Sequence, residues 1–563
     1  MHRALLSLSA ASAFLVLGPQ TGAQEVRCLL GEGLPLPGVP GHVVSSISNT
    51  ASNGRGGWAC STNTSDGVTT LSHVWGAAEF GGVGGPLQTE GTIGTFEQTS
   101  FESFFGIDDF GTVAYGPTTT DTVSGATGLD SVWFGSAPVA TEGEPIPSLA
   151  GKVWRYGSRP GVTRGGDVFW AGGINDAVSG ANEGEGLFYG FGATPLLKTG
   201  DTPLGAPGAI DSSGITFSYR FSAYGTHYIT DTELGLASSV DTIMVIDGSA
   251  LVLGGSLVQE GTALPASIGG LPGELWSSFD YFGINENFDY MITGSTSGGA
   301  SATNEFILKN GVIAVREGDV VDGETLTGAM EGAAMNENGE IAFVWDVVSG
   351  TSDVEALYFE DQLLLKEGDT VDITGDGVPD PGAIVSGFTG IESVSLGPDR
   401  VIYFTADVDT MGTSSTTDDV ECLFAATPAA QPDFVACPVT ISTTLGADQS
   451  MFLDAGPAGA GAFYLVGGTI SGTAPGIPYG GFVIPLNPDF YTNLTLNKPN
   501  VAPLVNTFGN LDVNGSALAE WRLPAGALPT LAGITANHAY VVLDALTLLP
   551  TYVSTPTTLE FTP

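Results

Sequence analysis

An eight-residue stretch, Asn336-Glu-Asn-Gly-Glu-Ile-Ala-Phe343, constrains the chain more than any other feature, because versions of it return through most of the sequence. It reads as a polar turn with Gly near its tip, followed by a short apolar strand. Related stretches start at 53, 108, 163, 222, 285 and 397, as in Asn53-Gly-Arg-Gly-Gly-Trp-Ala-Cys60 and Asp108-Asp-Phe-Gly-Thr-Val-Ala-Tyr115. A second marker keeps the same period: a strand ending in an acidic-Gly turn, as in Leu87-Gln-Thr-Glu-Gly91, Val315-Arg-Glu-Gly-Asp319 and Leu365-Lys-Glu-Gly-Asp369. A third is a short apolar strand such as Ala356-Leu-Tyr-Phe359, which a hairpin turn joins to the acidic-Gly strand. Two markers with one period of 50 to 60 residues make an accidental match improbable.

Each unit therefore holds three clear strands and a fourth between the acidic-Gly turn and the Asn/Gly turn. Four antiparallel strands in a unit of this length form one propeller blade. The phase of the ends points to a ring. Val26–Leu30 is the strand that elsewhere follows the hairpin, and Val420–Phe424 is the strand that elsewhere precedes it. The expected fold is all-β: a seven-bladed β-propeller over 24–427, closed by its N-terminal strand, which leaves no sheet edge exposed. The markers stop near Pro428. A linker is expected over 428–439 and a C-terminal β-sandwich over 440–563, with short strands such as Ala462–Val466 and Ala539–Leu543.

Composition narrows the setting. Met1-His-Arg3, the uncharged apolar run Ala4–Leu17 and the small residues of Thr21-Gly-Ala23 read as a secretory signal peptide over 1–23. No later run has the length of a transmembrane helix. The predicted protein is secreted, or held at the cell surface without a covalent anchor. Acidic residues number 61 against 15 Lys and Arg. That balance disfavours nucleic acid and anionic lipid, which require a basic footprint. It is compatible with divalent cations.

At these residues the chain resembles the secreted tandem NxxGxxAF-repeat proteins of planctomycete-type bacteria. Asn336, Gly339, Ala342 and Phe343 carry the full motif, and the other copies carry it with substitutions. The resemblance covers about 25–427. It implies a propeller-like extracellular protein without an assigned activity. The tail, with Leu511-Asp-Val-Asn-Gly515, resembles a C-terminal β domain common on secreted proteins of such bacteria.

The repeat residues have mechanical roles: Gly339 permits positive φ, Asn336 or Asp108 bonds its own turn, and Ala342 with Phe343 packs between units. The sharpest candidate for a bound ion is Asp372-Ile-Thr-Gly-Asp-Gly-Val-Pro-Asp380. Oxygen ligands at relative positions 1, 3, 5 and 9 with Gly at 6 match the front of a calcium loop. Asp372, Thr374, Asp376 and Asp380 would supply side chains and Val378 its carbonyl, holding a structural Ca2+. Ala383 stands where the usual bidentate Glu would be.

Four cysteines, at 28, 60, 422 and 437, all fall at the ends of the array. Disulfides are expected in an exported protein, with the pairing open. Strand phase places Cys28 diagonal to Cys422, and local pairs 28–60 and 422–437 are equally open. There is no CxxC, GxSxG, HExxH or phosphate-binding loop, and His42, His73, His227 and His538 are scattered. The leading expectation is a non-enzymatic binding or structural protein for a carbohydrate or cell-envelope component. The alternative is an extracellular polysaccharide hydrolase or lyase on the same scaffold.

Overall fold

In a computed structural model, the protein is all-β. The structure describes residues 25–211, 218–350, 352–374, 378–389, 393–412, 416–428 and 433–563. The predicted leader therefore lies outside the described residues.

The strands between Glu25 and Thr427 form seven successive antiparallel sheets of four or five strands, with a small additional hairpin, among the described residues. The first six are meanders. The sixth shows how the repeat becomes structure. Its first long strand, Glu324–Met335, ends at the Asn336 turn. The second, Ile341–Ser349, pairs in unbroken register with Ser352–Phe359. A tight turn at Glu360 then reverses the chain into Gln362–Lys366.

In the turn, Asn336 Oδ1 accepts the amides of Asn338 and Glu340 at 3.0 Å each, and Gly339 sits at φ +72°. The side chain thus replaces backbone partners that a bend of this kind leaves unpaired. Along Ile341–Ser349 the side chains alternate between two cores. Ala342 and Val344 pack toward the seventh sheet, while Ile341, Phe343 and Trp345 pack toward the fifth. Phe343 is fully buried and stacks on Tyr358 at 5.1 Å between ring centres. Burial on both faces explains why this strand is apolar over Ile341–Trp345. A side chain such as Phe343 contributes about 2–3 kcal/mol by leaving water.

The seventh sheet takes a strand from the other end of the array. Glu25–Gly31 pairs antiparallel with Val420–Thr427, Glu25 opposite Thr427 and Gly31 opposite Cys422. One irregularity, between Cys28 and Leu30, interrupts that register. The first sheet packs on the seventh: Trp58 stacks on Tyr403 at 5.5 Å, and Leu30, Val44, Ile47 and Leu423 share one core.

The C-terminal residues make a four-stranded and a six-stranded sheet around a common core that includes Phe434, Met451, Trp521, Tyr540 and Phe561. The span 428–439 is not linker throughout. Phe434–Cys437 is a buried strand, paired with Ser450–Leu453 in the four-stranded sheet. Four consecutive buried residues, Phe434 to Cys437, set its position; the flanking prolines Pro432 and Pro438 masked it in the sequence. One short helix, Phe490–Asn497, is capped by Asp489. Among the described residues, no helix is long and apolar enough to cross a membrane.

Candidate functional site

In each of the seven sheets a strand such as Val43–Ser52, Phe96–Ile107 or Lys152–Val162 ends at an Asn/Gly-type turn, so the turns gather at one end of the sheets. They bond to one another in sequence. Asn53 Nδ2 donates to Asp108 O at 2.8 Å, and the Gly54 amide to Asp109 Oδ1 at 2.9 Å. Arg164 Nε donates to Asp109 Oδ2 at 2.7 Å, while the Arg164 amide donates to Ala223 O at 2.7 Å. The Tyr224 amide donates to Glu286 Oε1 at 2.7 Å. Glu337 accepts the amides of Ala223 at 3.2 Å and Glu286 at 3.3 Å. Arg400 pairs with Glu340 at 2.6 Å. The link between seventh and first sheets is Ser52 Oγ donating to Leu396 O at 3.1 Å.

The C-terminal residues close over this end. Arg164 reaches Asp448 O at 3.3 Å and Ser450 Oγ at 3.2 Å, with its guanidinium 5.4 Å from the Tyr224 ring centre. Ser450 Oγ donates to Gly54 O at 2.6 Å, and the Asp448 amide donates to the Tyr224 hydroxyl at 2.9 Å. Arg55 pairs with the buried Glu520 at 3.2 Å. Asn338 donates to Ala436 O and accepts from the Val439 amide, both at 3.0 Å. Burial lowers the Arg164 guanidinium, but Tyr224, Asp109 and Asp448 outweigh it and hold it above its ordinary value. Burial pushes Glu337 up to about 7, helped by Glu286, and burial also pushes Asp399 up to about 7.

A second polar group lies where the first strands of the opening sheets meet. Ser48, Ser61, Thr62, Asn63, Ser72 and His73 face Phe101, Glu102 and Ser103 around a niche of about 20 Å3, room for about one water. Glu102 Oε1 accepts the Ser158 hydroxyl at 2.7 Å, and Oε2 accepts the Arg159 amide at 2.9 Å. The Arg159 guanidinium lies over the Phe104 ring at 4.0 Å. Burial raises the Glu102 carboxyl, and these two donors draw it partly back. Beside the niche, His73 is joined to a second histidine, His42. Thr64 Oγ1 contacts His73 Nε2 at 2.8 Å and His42 Nδ1 at 3.3 Å, and Thr89 Oγ1 holds His73 Nδ1 at 3.1 Å. Burial pulls His73 down to about 4 and keeps it neutral.

The Asp372–Asp380 loop is described except for 375–377, so Asp376 lies outside the described residues. Asp372 and Asp380 meet at Thr374. Asp380 Oδ2 accepts the amides of Ile373 at 2.9 Å and Thr374 at 3.0 Å. The Thr374 hydroxyl reaches Asp372 Oδ1 at 3.2 Å and Asp380 Oδ1 at 3.3 Å. Val378 is exposed. The donors are oxygens suited to a hard cation. No group of three or more His, Cys, Asp and Glu placed for a metal occurs among the described residues.

Sequence reasoning did not single out Arg55, Arg164, Glu337 or Glu102. A signal for the arginines was present. Basic residues are scarce, yet Arg55, Arg164 and Arg400 each fall inside a repeat turn. No comparable signal marks Glu102, because acidic residues are abundant everywhere.

No family model matches the chain, and no curated protein does. Several solved structures are similar at low scores. An oligogalacturonate lyase in complex with manganese is 11% identical with a TM-score of 0.35, over 72% of this chain and 98% of the other. The polysaccharide lyase Uly1 is 11% identical with a TM-score of 0.23, over 62% and 92%. A prolyl endopeptidase is 11% identical with a TM-score of 0.32, over 73% of this chain, which spans only 54% of that enzyme's length. At these scores the likeness carries no assignment of fold or activity.

Proposed function

We propose that the chain is a secreted or surface-associated, non-enzymatic binding or structural protein of the NxxGxxAF-repeat type. On this reading the seven sheets are blades of a closed propeller over 24–427, and Glu25–Gly31 completes the last blade. The C-terminal unit is a β-sandwich that caps the turn end, leaving the far end and the inner strands for a carbohydrate or cell-envelope ligand. The observation that carries this reading is the state of Glu102. It stands beside a basic and an aromatic group, as a saccharide subsite requires, but both of its oxygens are engaged, by Ser158 and by the Arg159 amide. Such a carboxylate orients polar groups. Glycosidic hydrolysis commonly uses two carboxyl groups that flank the bond, and Glu102 is the one carboxyl group among the residues described as lining this niche.

The raised Glu102 carboxyl, which a general acid needs, favours the hydrolase or lyase alternative. A glycan array read together with release of reducing or unsaturated ends separates the two. Retention without product supports the binding reading, and turnover lost in Glu102→Gln replaces it with the enzyme. We also propose a structural Ca2+ held by Asp372, Thr374, Asp376, Asp380 and the Val378 carbonyl, rigidifying an acidic loop. Calorimetric titration of Ca2+ into the chelated protein is expected to show a saturable site that Asp376→Ala removes. Equal binding by both proteins rejects it.

A further inference from the structure

We infer that Cys28 and Cys422 are a disulfide-forming pair that covalently joins the first strand of the array to its last sheet, and that Cys60 and Cys437 take no part. Both residues lie on the paired strands Glu25–Gly31 and Val420–Thr427, where Cys28 stands opposite Phe424 and Cys422 opposite Gly31. That register alone is diagonal, with both side chains on the same side of the sheet. The register shifts between Cys28 and Leu30, and the two free thiols share one core, close enough for Cys28 to perturb Cys422. Cys28 Sγ also points along its own strand, 3.4 Å from Leu30 O.

The other pairings are excluded by placement. Cys28 and Cys422 lie in the core between the sixth and seventh sheets, whereas Cys60 lies in the core between the seventh and first. The seventh sheet therefore separates Cys28 from Cys60. Cys437 sits at the turn end, among Glu337, Arg164, Glu340 and Asp399. Cys422 sits toward the other end of its sheet, near Glu421 and Asp407.

The reaction is thiol–disulfide exchange with a disulfide-bearing oxidant. Half-buried Cys28 attacks one sulfur of the oxidant as thiolate, and the other sulfur leaves as thiolate. Buried Cys422, as thiolate, then attacks Cys28 Sγ and expels the remaining half of the oxidant. The two protons from Cys28 and Cys422 end on the two released thiols. The bond would enclose nearly the whole repeat array, the geometry in which a cross-link most restricts the unfolded chain.

The test incubates the full chain with oxidised glutathione, with and without sub-denaturing urea, alkylates the free thiols and maps the peptides by mass spectrometry. The expected result is one cross-linked peptide joining Cys28 to Cys422, with Cys60 and Cys437 alkylated only after unfolding. Reduction should then lower the wild-type Tm by several degrees and leave Cys28→Ser unshifted. A 28–60 or 422–437 link overturns the inference, as do four free thiols under both conditions or equal Tm shifts in the two proteins.

Discussion

The two ends of the repeat sheets are both made of Gly-containing turns with acidic residues, yet among the described residues the C-terminal unit covers only one of them. At the far end, the acidic-Gly turns bond within themselves and to neighbouring segments, as where Arg316 pairs with the buried Glu274 at 2.8 Å. Asp201, Asp319 and Asp369 each accept the amide three residues earlier, from Lys198, Arg316 and Lys366. At the Asn/Gly end, the first residue of the turn usually does the same internal work, but the next two residues reach outward. They include Arg55, Asp109, Arg164, Tyr224, Glu286, Glu337 and Asn338. The difference teaches that one repeat carries two kinds of position. Positions that build the turn repeat, while positions that dock the C-terminal unit vary because each meets a different part of it.

The sharpest way to break this comparison is to remove the buried cation. Arg164→Ala leaves the Asp109 carboxylate without its buried cation. Loss of one partner of a buried ion pair costs about 3–5 kcal/mol. Urea denaturation should show that loss, together with faster proteolysis near 428–433.

Acidity gives the next largest effect. Glu337 and Asp399 are raised to about 7, so between roughly pH 4.5 and 7 the folded state holds more protons than the unfolded one. Their contribution is full below the unfolded value and is lost as pH rises through about 7, by up to about 3 kcal/mol each. His73 and His538, both lowered to about 4, act in the opposite direction: stability rises as pH climbs from about 4 to 6.5. Global unfolding therefore mixes the two signs. Proteolytic release of the C-terminal unit, which depends on the turn end, should be slower at pH 5 than at pH 8. The opposite order would remove these carboxyls from the account.

Two glycines with the same φ sharpen the comparison further. Gly56 and Gly339 both sit at +72°. A Cβ at Gly56 would fall 2.9 Å from Phe452 of the C-terminal unit, whereas at Gly339 the nearest atom is 3.5 Å away on Asp289. Both alanine variants carry the left-handed penalty of about 1–2 kcal/mol, and Gly56→Ala adds about 1–3 kcal/mol of overpacking. Equal losses by thermal denaturation would argue against tight docking there. The smallest effect belongs to the far end. Lys198 pairs with Asp201 at 2.8 Å on the surface, and Lys198→Ala should change stability by no more than about 0.5 kcal/mol.

Much of this molecule was legible in its sequence, for a physical reason. Turn chemistry is local, so Asn336, Asp108 and Gly339 announce their roles within a few residues. The alternation at Ala342 and Phe343 likewise announces two cores. The strand at Phe434–Cys437 was hidden because four buried residues in a row have no period to read. The docking residues were hidden more deeply. Arg164 and Ser450 meet across 286 positions, and no pattern in either neighbourhood encodes the other. The niche at Glu102 and His73 likewise depends on which strands become neighbours.

The turn end docks the C-terminal unit, whereas the far end is not covered by it among the described residues. Amide hydrogen exchange of the full chain, compared between wild type and Arg164→Met, tests this contrast most directly. The account predicts faster exchange confined to the turn amides of Gly54, Arg164, Ala223 and Tyr224 and to the strands at 434–437 and 447–454. The acidic-Gly amides of Asp201, Asp319 and Asp369 should be unchanged. Equal acceleration at both ends, or none at the turn end, would contradict it.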